Sequence, residues 1–369
     1  MKKIVLSFVL VLGAHLTFAQ ISTNSIPFGV AHFKELPPMA DIINLPFVNN
    51  NKLLEEDKLV DKAFDNRFAF KHEVDLTLNN SGQWDELANG DKIWRLHVKS
   101  EGALSLNTIF KHFEVPEGAT VHIYNPIEKN AIGGFTARNN KKNFVLSTVP
   151  VKGDEVIIEY VEPLKVAGLG VLEIASINHD YKGIFGITAE KGFNTSGPCN
   201  NNVICPEADA WRDQVNSSAM SMIGGTRWCS GAMVANTAND SIPYYLTADH
   251  CIDGANPATW IFVFNYKSST CDPATNASLS QSVSNSTLRA NRGSTDMALL
   301  ELSSLPPYDY NVFYSGWDNT DDIPENQTGI HNPDGDVMKI SFDEEPASKQ
   351  SWGGAACWEI EDWNDGTTE

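Results

Sequence analysis

From Ile93 onward the chain alternates apolar and polar side chains in short runs: Ile93-Trp94-Arg95-Leu96-His97-Val98, Thr120-Val121-His122-Ile123-Tyr124, Asn143 to Thr148 and Val156-Ile157-Ile158-Glu159-Tyr160. Successive side chains of a strand point to opposite faces, so a period of two is what a half-buried strand requires. Pro116-Glu117-Gly118, Gly133-Gly134 and Lys152-Gly153-Asp154 punctuate these runs with residues that turn a chain. Several short strands at this spacing predict a small β-sandwich over about 75–165. The preceding stretch, 20 to about 75, is mixed polar and Pro-containing, with Leu36-Pro37-Pro38, and predicts no particular element.

A loose connector follows, with Gly183, Gly186, Gly192 and Gly197 around Lys191. Residues 192–369 again read as short strands and turns rather than helical periods. The exception is Pro206 to Val215, where a proline in the first turn favours a short helix. The expectation for this part is an antiparallel β-barrel fold with one barrel incomplete, and the whole chain is predicted to be all-β.

The first residues form a separate unit. Lys2 and Lys3 precede the apolar run Ile4 to Gly13, and Thr17-Phe18-Ala19 supplies small residues before Gln20. That is the pattern of a secretory signal peptide over 1–19. The run is too short for a membrane anchor, and no later segment has the roughly 20 continuous apolar residues of a membrane helix. A length of 369 residues, 42% hydrophobic and 10% aromatic, suits two ordinary globular domains. All six cysteines (199, 205, 229, 251, 271 and 357) lie in the second half. In an exported chain they read as disulfides; there is no Cys-x-x-Cys, and the adjacent His250 and Cys251 are awkward zinc ligands. No metal or other cofactor is expected. Charge divides the same way, with 7 Lys+Arg against 24 Asp+Glu from residue 192 onward. So acidic a surface disfavours nucleic acid and could draw cationic substrates. His97, His112 and His122 fall in no ligand spacing and are expected to be exposed or satisfied within the core.

The candidate chemistry lies in three separated strings. Cys229-Ser230-Gly231 is followed by Leu246-Thr247-Ala248-Asp249-His250-Cys251, where Cys251 can pair back to Cys229 and pin the loop that carries the histidine. Forty-six positions after His250, Asp296 opens the apolar run Met297-Ala298-Leu299-Leu300. Acyl transfer by a serine needs a general base, a carboxylate that holds the base, and a hydroxyl beside oxyanion donors. His250 suits the first role and partly buried Asp296 the second. Neither residue type is diagnostic alone; the composite is.

At these residues the chain resembles trypsin-like (chymotrypsin-fold) serine proteases, and within them the secreted bacterial lysyl endopeptidases. The resemblance covers essentially 197–369. It extends to Cys199, Val203-Ile204-Cys205-Pro206-Glu207, Asn236-Thr237-Ala238-Asn239-Asp240, Phe264-Asn265-Tyr266, Gly316-Trp317-Asp318, Gly329-Ile330-His331-Asn332-Pro333 and Lys339-Ile340-Ser341. It implies a double β-barrel, His250 as base with Asp296 as its partner, and Trp352 as a tryptophan stacked on the imidazole. It also implies a Cys205–Cys271 bridge, a structural role for His331, and a propeptide in the first-half strands. Asp249 stands where trypsin-like enzymes usually have alanine.

In the family a Gly-x-Ser-Gly segment follows Gly-Thr-Thr-Glu within a few residues. Here Gly366-Thr367-Thr368-Glu369 closes the sequence. The expectation is an incomplete sequence whose nucleophile and substrate pocket lie beyond it, and whose Cys199 has lost its partner, with Cys357 left over. Ser348 and Ser351 stand in the wrong motif to substitute. The functional expectation is a secreted, extracellular, monomeric serine endopeptidase precursor. It would act on protein or peptide substrates, in keeping with the family after lysine, and be released by cleavage between Lys191 and Gly192. The rival expectation is a catalytically inactive relative that binds peptides or surfaces.

Overall fold

The computed structural model describes residues 25–59, 67–185, 196–197, 199–272, 274–275 and 277–368. Across them the chain is built mainly from strands, as the all-β expectation required. No helix among them is long and apolar enough to cross a membrane. The expected signal peptide at 1–19 and the Lys191–Gly192 bond lie outside the described residues.

Helix α1 (Phe28–Ala31), strand β1 (Ile43–Asn44) and helix α2 (Asn50–Asp57) come first. Ten strands follow: β2 (Ala69–Thr77), β3 (Gln83–Glu86), β4 (Lys92–Lys99), β5 (Ser105–Glu114), β6 (Thr120–Tyr124), β7 (Ala131–Phe135), β8 (Leu146–Ser147), β9 (Val151–Lys152), β10 (Glu155–Glu162) and β11 (Val171–Asp180). One sheet has the order β1-β4-β10-β6-β7 with β3 on β4; the other runs β2-β11-β5-β8 with β9 on β5. Both feed one core, in which Trp94, Leu96 and Val98 of β4 and Val156, Ile158 and Tyr160 of β10 meet Phe110 and Phe113 of β5 and Leu172, Ile174 and Ile177 of β11. The strands therefore extend past the expected 75–165 window at both ends, and of Asn143–Thr148 only Leu146–Ser147 pairs as a strand.

Around α1 the leading segment is held on the outer face of the first sheet by polar contacts, while Val48 and Leu53 further along pack with Tyr181. Buried Glu159 of β10 accepts the backbone N–H groups of Phe28 and Gly29, both at 2.7 Å, and the Tyr124 hydroxyl at 3.1 Å. A carboxylate out of water is tolerated only when so satisfied. This docking leaves no apolar period in the sequence, which is why residues 20–75 predict nothing on their own.

In the second half come β12 (Asn201–Asn202), a 3₁₀ turn at Pro206–Trp211 and α3 (Arg212–Ser217), so the proline-led helical turn forms. Then follow β13 (Ser218–Ile223), β14 (Arg227–Val234), β15 (Tyr244–Thr247), β16 (Ile261–Phe264), β17 (Ser282–Ser284), β18 (Ser286–Arg292), β19 (Met297–Leu302), β20 (Gln327–His331), β21 (Lys339–Asp343), β22 (Ser348–Trp352) and β23 (Ala355–Glu359). Seven of these make one antiparallel sheet, β17-β16-β13-β14-β15-β19-β18. Its two outermost strands, β17 and β18, are separated in sequence by Asn285 alone, so the sheet has to curl until its margins meet at that residue. Asn285 makes the corner with a positive φ of 78°, donating its N–H to Trp260 O at 2.8 Å and accepting from Ser303 N–H at 2.9 Å. Tyr245, Trp260, Phe262, Phe264, Val283 and Leu300 fill the interior. A second, three-stranded sheet (β12-β21-β20) and the hairpin β22–β23 complete the chain, with β23 against the Gly293–Thr295 turn.

Candidate active site

Strand register brings the two candidate residues together. β15 and β19 are antiparallel neighbours with Thr247 opposite Ala298, so the chain leaving β15 and the chain entering β19 emerge at the same margin. His250 lies three residues after Thr247, in the turn that follows β15, and Asp296 two before Ala298. Asp296 adopts a left-handed conformation (φ 46°, ψ 45°) at the end of the Gly293–Thr295 turn. Aspartate is among the few residues that visit this region readily.

Both carboxylate oxygens of Asp296 engage His250. Oδ1 accepts the backbone N–H at 2.8 Å, and Oδ2 lies 2.7 Å from ring Nδ1. A carboxylate can only accept, so Nδ1 carries the hydrogen, and the neutral ring has its lone pair on Nε2. Burial by itself would raise the Asp296 pKa. The backbone and ring N–H groups of His250 and the N–H of Asp249 outweigh it and hold the carboxyl below its ordinary range. The two side chains are 33% and 35% exposed, so the pair opens onto solvent rather than into the core.

The loop is pinned from several sides. Cys251, buried, is bonded to Cys229 of β14, and this bridge lies inside the larger loop closed by Cys205–Cys271. Thr247 Oγ1 donates to Ser230 O at 2.8 Å, and Ser230 Oγ accepts the Asn332 N–H at 2.9 Å, tying β14 to the chain just past β20. Asn291 of β18 donates to Asp249 Oδ1 at 2.7 Å, so the aspartate in the usual alanine position is an anchor for the loop. Arg227 donates to Asp253 O at 3.1 Å. Sequence reasoning missed Asn291 and Arg227; only the strand register, which sets Asn291 opposite Ala298, could have found the former.

Trp352 ends β22 and is 65% exposed, carried on the hairpin whose other strand flanks the Asp296 turn. His331 closes β20, and burial, with Lys339 opposite it, lowers its pKa to about 4; it is held neutral and apart from the His250–Asp296 contact. Cys199 and Cys357 are both free thiols. The side chains of Cys229, His250 and Cys251 offer ligand atoms within 4.8 Å of one another, but the two sulfurs are bonded to each other and have no thiolate to give a metal. In the first half His97 pairs with Glu155 at 2.7 Å, His112 with Glu114 at 3.2 Å, and buried His122 with Ser25 Oγ at 2.8 Å.

An imidazole held by a carboxylate at the open margin of a curled antiparallel sheet has the geometry that a general base needs. Residues 193–369 match the family model for the C-terminal domain of lysyl endopeptidase. The second half of this chain is similar to that domain.

Proposed function

We propose that this chain is the precursor of a secreted serine endopeptidase of chymotrypsin type, with His250 as general base and Asp296 as the carboxylate that orients it. The nucleophilic serine would come from sequence C-terminal to Glu369. The observation that carries the proposal is the double contact of Asp296 with the backbone and ring of His250. One contact fixes where the loop sits and the other fixes which nitrogen holds the proton. The two-sheet unit of the first half would be a β-sandwich propeptide, the curled seven-stranded sheet the first barrel, and β12, β20 and β21 part of a second.

The proton path follows from the tautomer. With Nδ1–H committed to Asp296, Nε2 takes the proton of the attacking hydroxyl, and the imidazolium that forms is stabilised by the adjacent carboxylate. The same Nε2–H then protonates the departing amine. Trp352, brought over by the hairpin that flanks Asp296, would cover the imidazole and shield it from water. The excess of carboxylates in the second half suits a cationic, lysine-like residue on the acyl side of the cut bond.

The test uses the longest secreted form of the protein. It should label with a fluorophosphonate and cleave lysyl amides, and His250→Ala should lower kcat on the order of 10³-fold or more. Turnover that survives His250→Ala, or no labelling in a form whose reading frame has been followed to its stop codon, would sink the proposal and leave a peptide-binding relative.

A further inference from the structure

The two halves of the chain share a seam that no disulfide crosses. At its centre the turn joining β13 to β14, Gly224-Gly225-Thr226, lies against the side chains of Asn107 of β5 and Asn178 of β11, which face each other across that strand pair. Asn107 Nδ2 donates to Gly225 O at 3.1 Å and Asn178 Nδ2 to Gly224 O at 3.2 Å, while Asn178 also donates to Asn107 Oδ1 at 2.7 Å. Both asparagines are buried, so each amide left without its partner would carry the full penalty of an unsatisfied buried group. Gly225 has φ +70°, and a Cβ there would lie 2.4 Å from Asn178 Nδ2 and within 2.8 Å of the Asn107 amide. The cradle is cut for a glycine.

Beside it the main chains join. Thr226 O accepts the N–H groups of Phe68 at 2.7 Å and Ala69 at 3.3 Å. The Phe68 ring stacks on Trp228 with centroids 4.0 Å apart, and Gly335 comes so close to Trp228 that a Cβ would lie 2.4 Å from the indole. Phe68, Ala69, Val149 and Ile184 from the first half complete a core with Met220, Met222, Trp228, Ile261, Val263 and Val337 from the second. A second contact area lies at the sheet corner. Asn285 Nδ2 donates to Asn143 Oδ1 at 2.7 Å and to Val145 O at 2.9 Å, Asn143 Nδ2 returns a bond to Asn285 Oδ1 at 3.2 Å, and Lys141 Nζ reaches Ser304 Oγ at 3.2 Å.

The chain is also moored on both sides of 186–195. Asp180, buried, accepts the N–H groups of Lys182, Gly183 and Ile184, and Ile184 lies in the shared core. On the far side Ser196 Oγ donates to Asp336 at 2.6 Å. Neither mooring depends on the peptide bonds between them.

We infer that the first half is a dedicated non-covalent partner for the Gly224–Trp228 surface of the second, and that it stays bound after the chain is cut within 186–195. Such a seam has the features of a stable interface: a stacked aromatic anchor, an apolar centre and hydrogen-bonded amides beside it. Because every cysteine lies at or beyond residue 199, contacts alone would hold the pieces. The inference stands whatever chemistry His250 performs.

The experiment replaces residues within 186–195 by the recognition sequence of an unrelated site-specific protease, cuts the purified full chain, and measures mass by light scattering after size exclusion. At about 1 µM the cut protein is expected to elute with both pieces together, as a nanomolar complex would; separate elution of the two pieces overturns the inference. Gly225→Val is expected to elute as the intact monomer before cutting and as two pieces afterwards. A second variant, Lys141→Ala with Asn143→Ala, alters only the outer contact area and guards against misfolding at Gly225. It should weaken reassociation of the separated pieces by at least about tenfold. If both variants hold the cut pieces as tightly as the parent chain does, the seam is not the partner surface inferred.

Discussion

Asp296 holds His250 by two atoms at once, Oδ1 on the backbone N–H and Oδ2 on the ring Nδ1. A single contact would fix distance but leave the ring free to swing; two contacts from one rigid carboxylate fix its rotation as well. The loop position and the tautomer are therefore not independent properties of this protein.

That dependence is measurable without any turnover. The ¹⁵N shifts of the His250 ring at a pH where it is neutral should report the Nδ1–H tautomer in the parent chain. Asp296→Ala should shift the ring toward Nε2–H, which is commoner for an unconstrained imidazole. If His250 and Asp296 act as proposed, Asp296→Asn should cost on the order of 10⁴-fold in kcat, through the wrong tautomer rather than through lost geometry. An Nε2–H ring in the parent chain would contradict the arrangement.

Reducing Cys229–Cys251 should loosen the second half and spare the first. The bridge spans 22 residues, for which the chain-entropy estimate is about 3 kcal/mol. Hydrogen exchange after paired Cys229→Ser and Cys251→Ser substitution should speed up in β13 to β19 and remain slow in β4 and β10. Equal loss of protection in both halves would contradict it.

Acid should weaken the first half in a defined window. Burial lowers His122 to about 4, and burial together with neighbouring His72 lowers His179 to about 4. His179 is faced by Ser100 on Nδ1 and Asn50 on Nε2, with His72 across Ser100; Asp154 pulls its pKa the other way, without winning. The unfolded chain takes up protons as pH falls through 6.5, while the native chain refuses them until near 4. Stability is therefore complete above 6.5 and declines between 6.5 and 4. At pH 5 the loss is about 2 kcal/mol for each of the two histidines. Urea midpoints at pH 8 and pH 5 should differ accordingly, and His122→Phe should shrink the difference. An unchanged midpoint would rule it out.

We propose that processing cuts after Lys191, so that the processed piece starts at Gly192. The glycine-rich composition around the lysine supports this, since segments of small and polar residues are preferred sites of nicking. N-terminal sequencing of the processed protein decides it: a start between Gly192 and Cys199 fits, and one inside β2 to β11 would refute it. Lys191→Gln should stall processing if the protein cuts itself, and leave it running if another protease trims the loop.

The sequence made the regular strands easy to see and the polar ones hard. Ile93–Val98, Thr120–Tyr124 and Val156–Tyr160 fall within β4, β6 and β10 because their apolar side chains supply the core. β5 and β11 passed unnoticed although they are the longest strands of the second sheet. Their ends bury Ser105, Asn107, Thr108, Asn178, His179 and Asp180, which look like turn residues until their partners across the strand or the seam are known. Segment 25–59 was opaque for a related reason: Glu159 and Asp57 hold it through charge and hydrogen bonds, and its buried apolar residues, Val48 and Leu53, are too sparse to show a period. At the site, His250 and Asp296 were legible from the strings around them, since those strings are themselves strand ends. Asn291 and Arg227 were not, because each reaches a loop residue, Asp249 and Asp253, that only the folded chain brings near.

The enclosure of Cys229–Cys251 within Cys205–Cys271 has a consequence for damage. A peptide bond broken between Cys229 and Cys251 leaves both new ends tethered through two successive covalent rings, so the fragment bearing His250 cannot diffuse away. A break elsewhere between Cys205 and Cys271 is tethered through one. Without reductant, nicked and intact molecules would run as a single band on a denaturing gel, and only reduction would expose their history. The protein would thus survive clipping of the very loop that carries its imidazole.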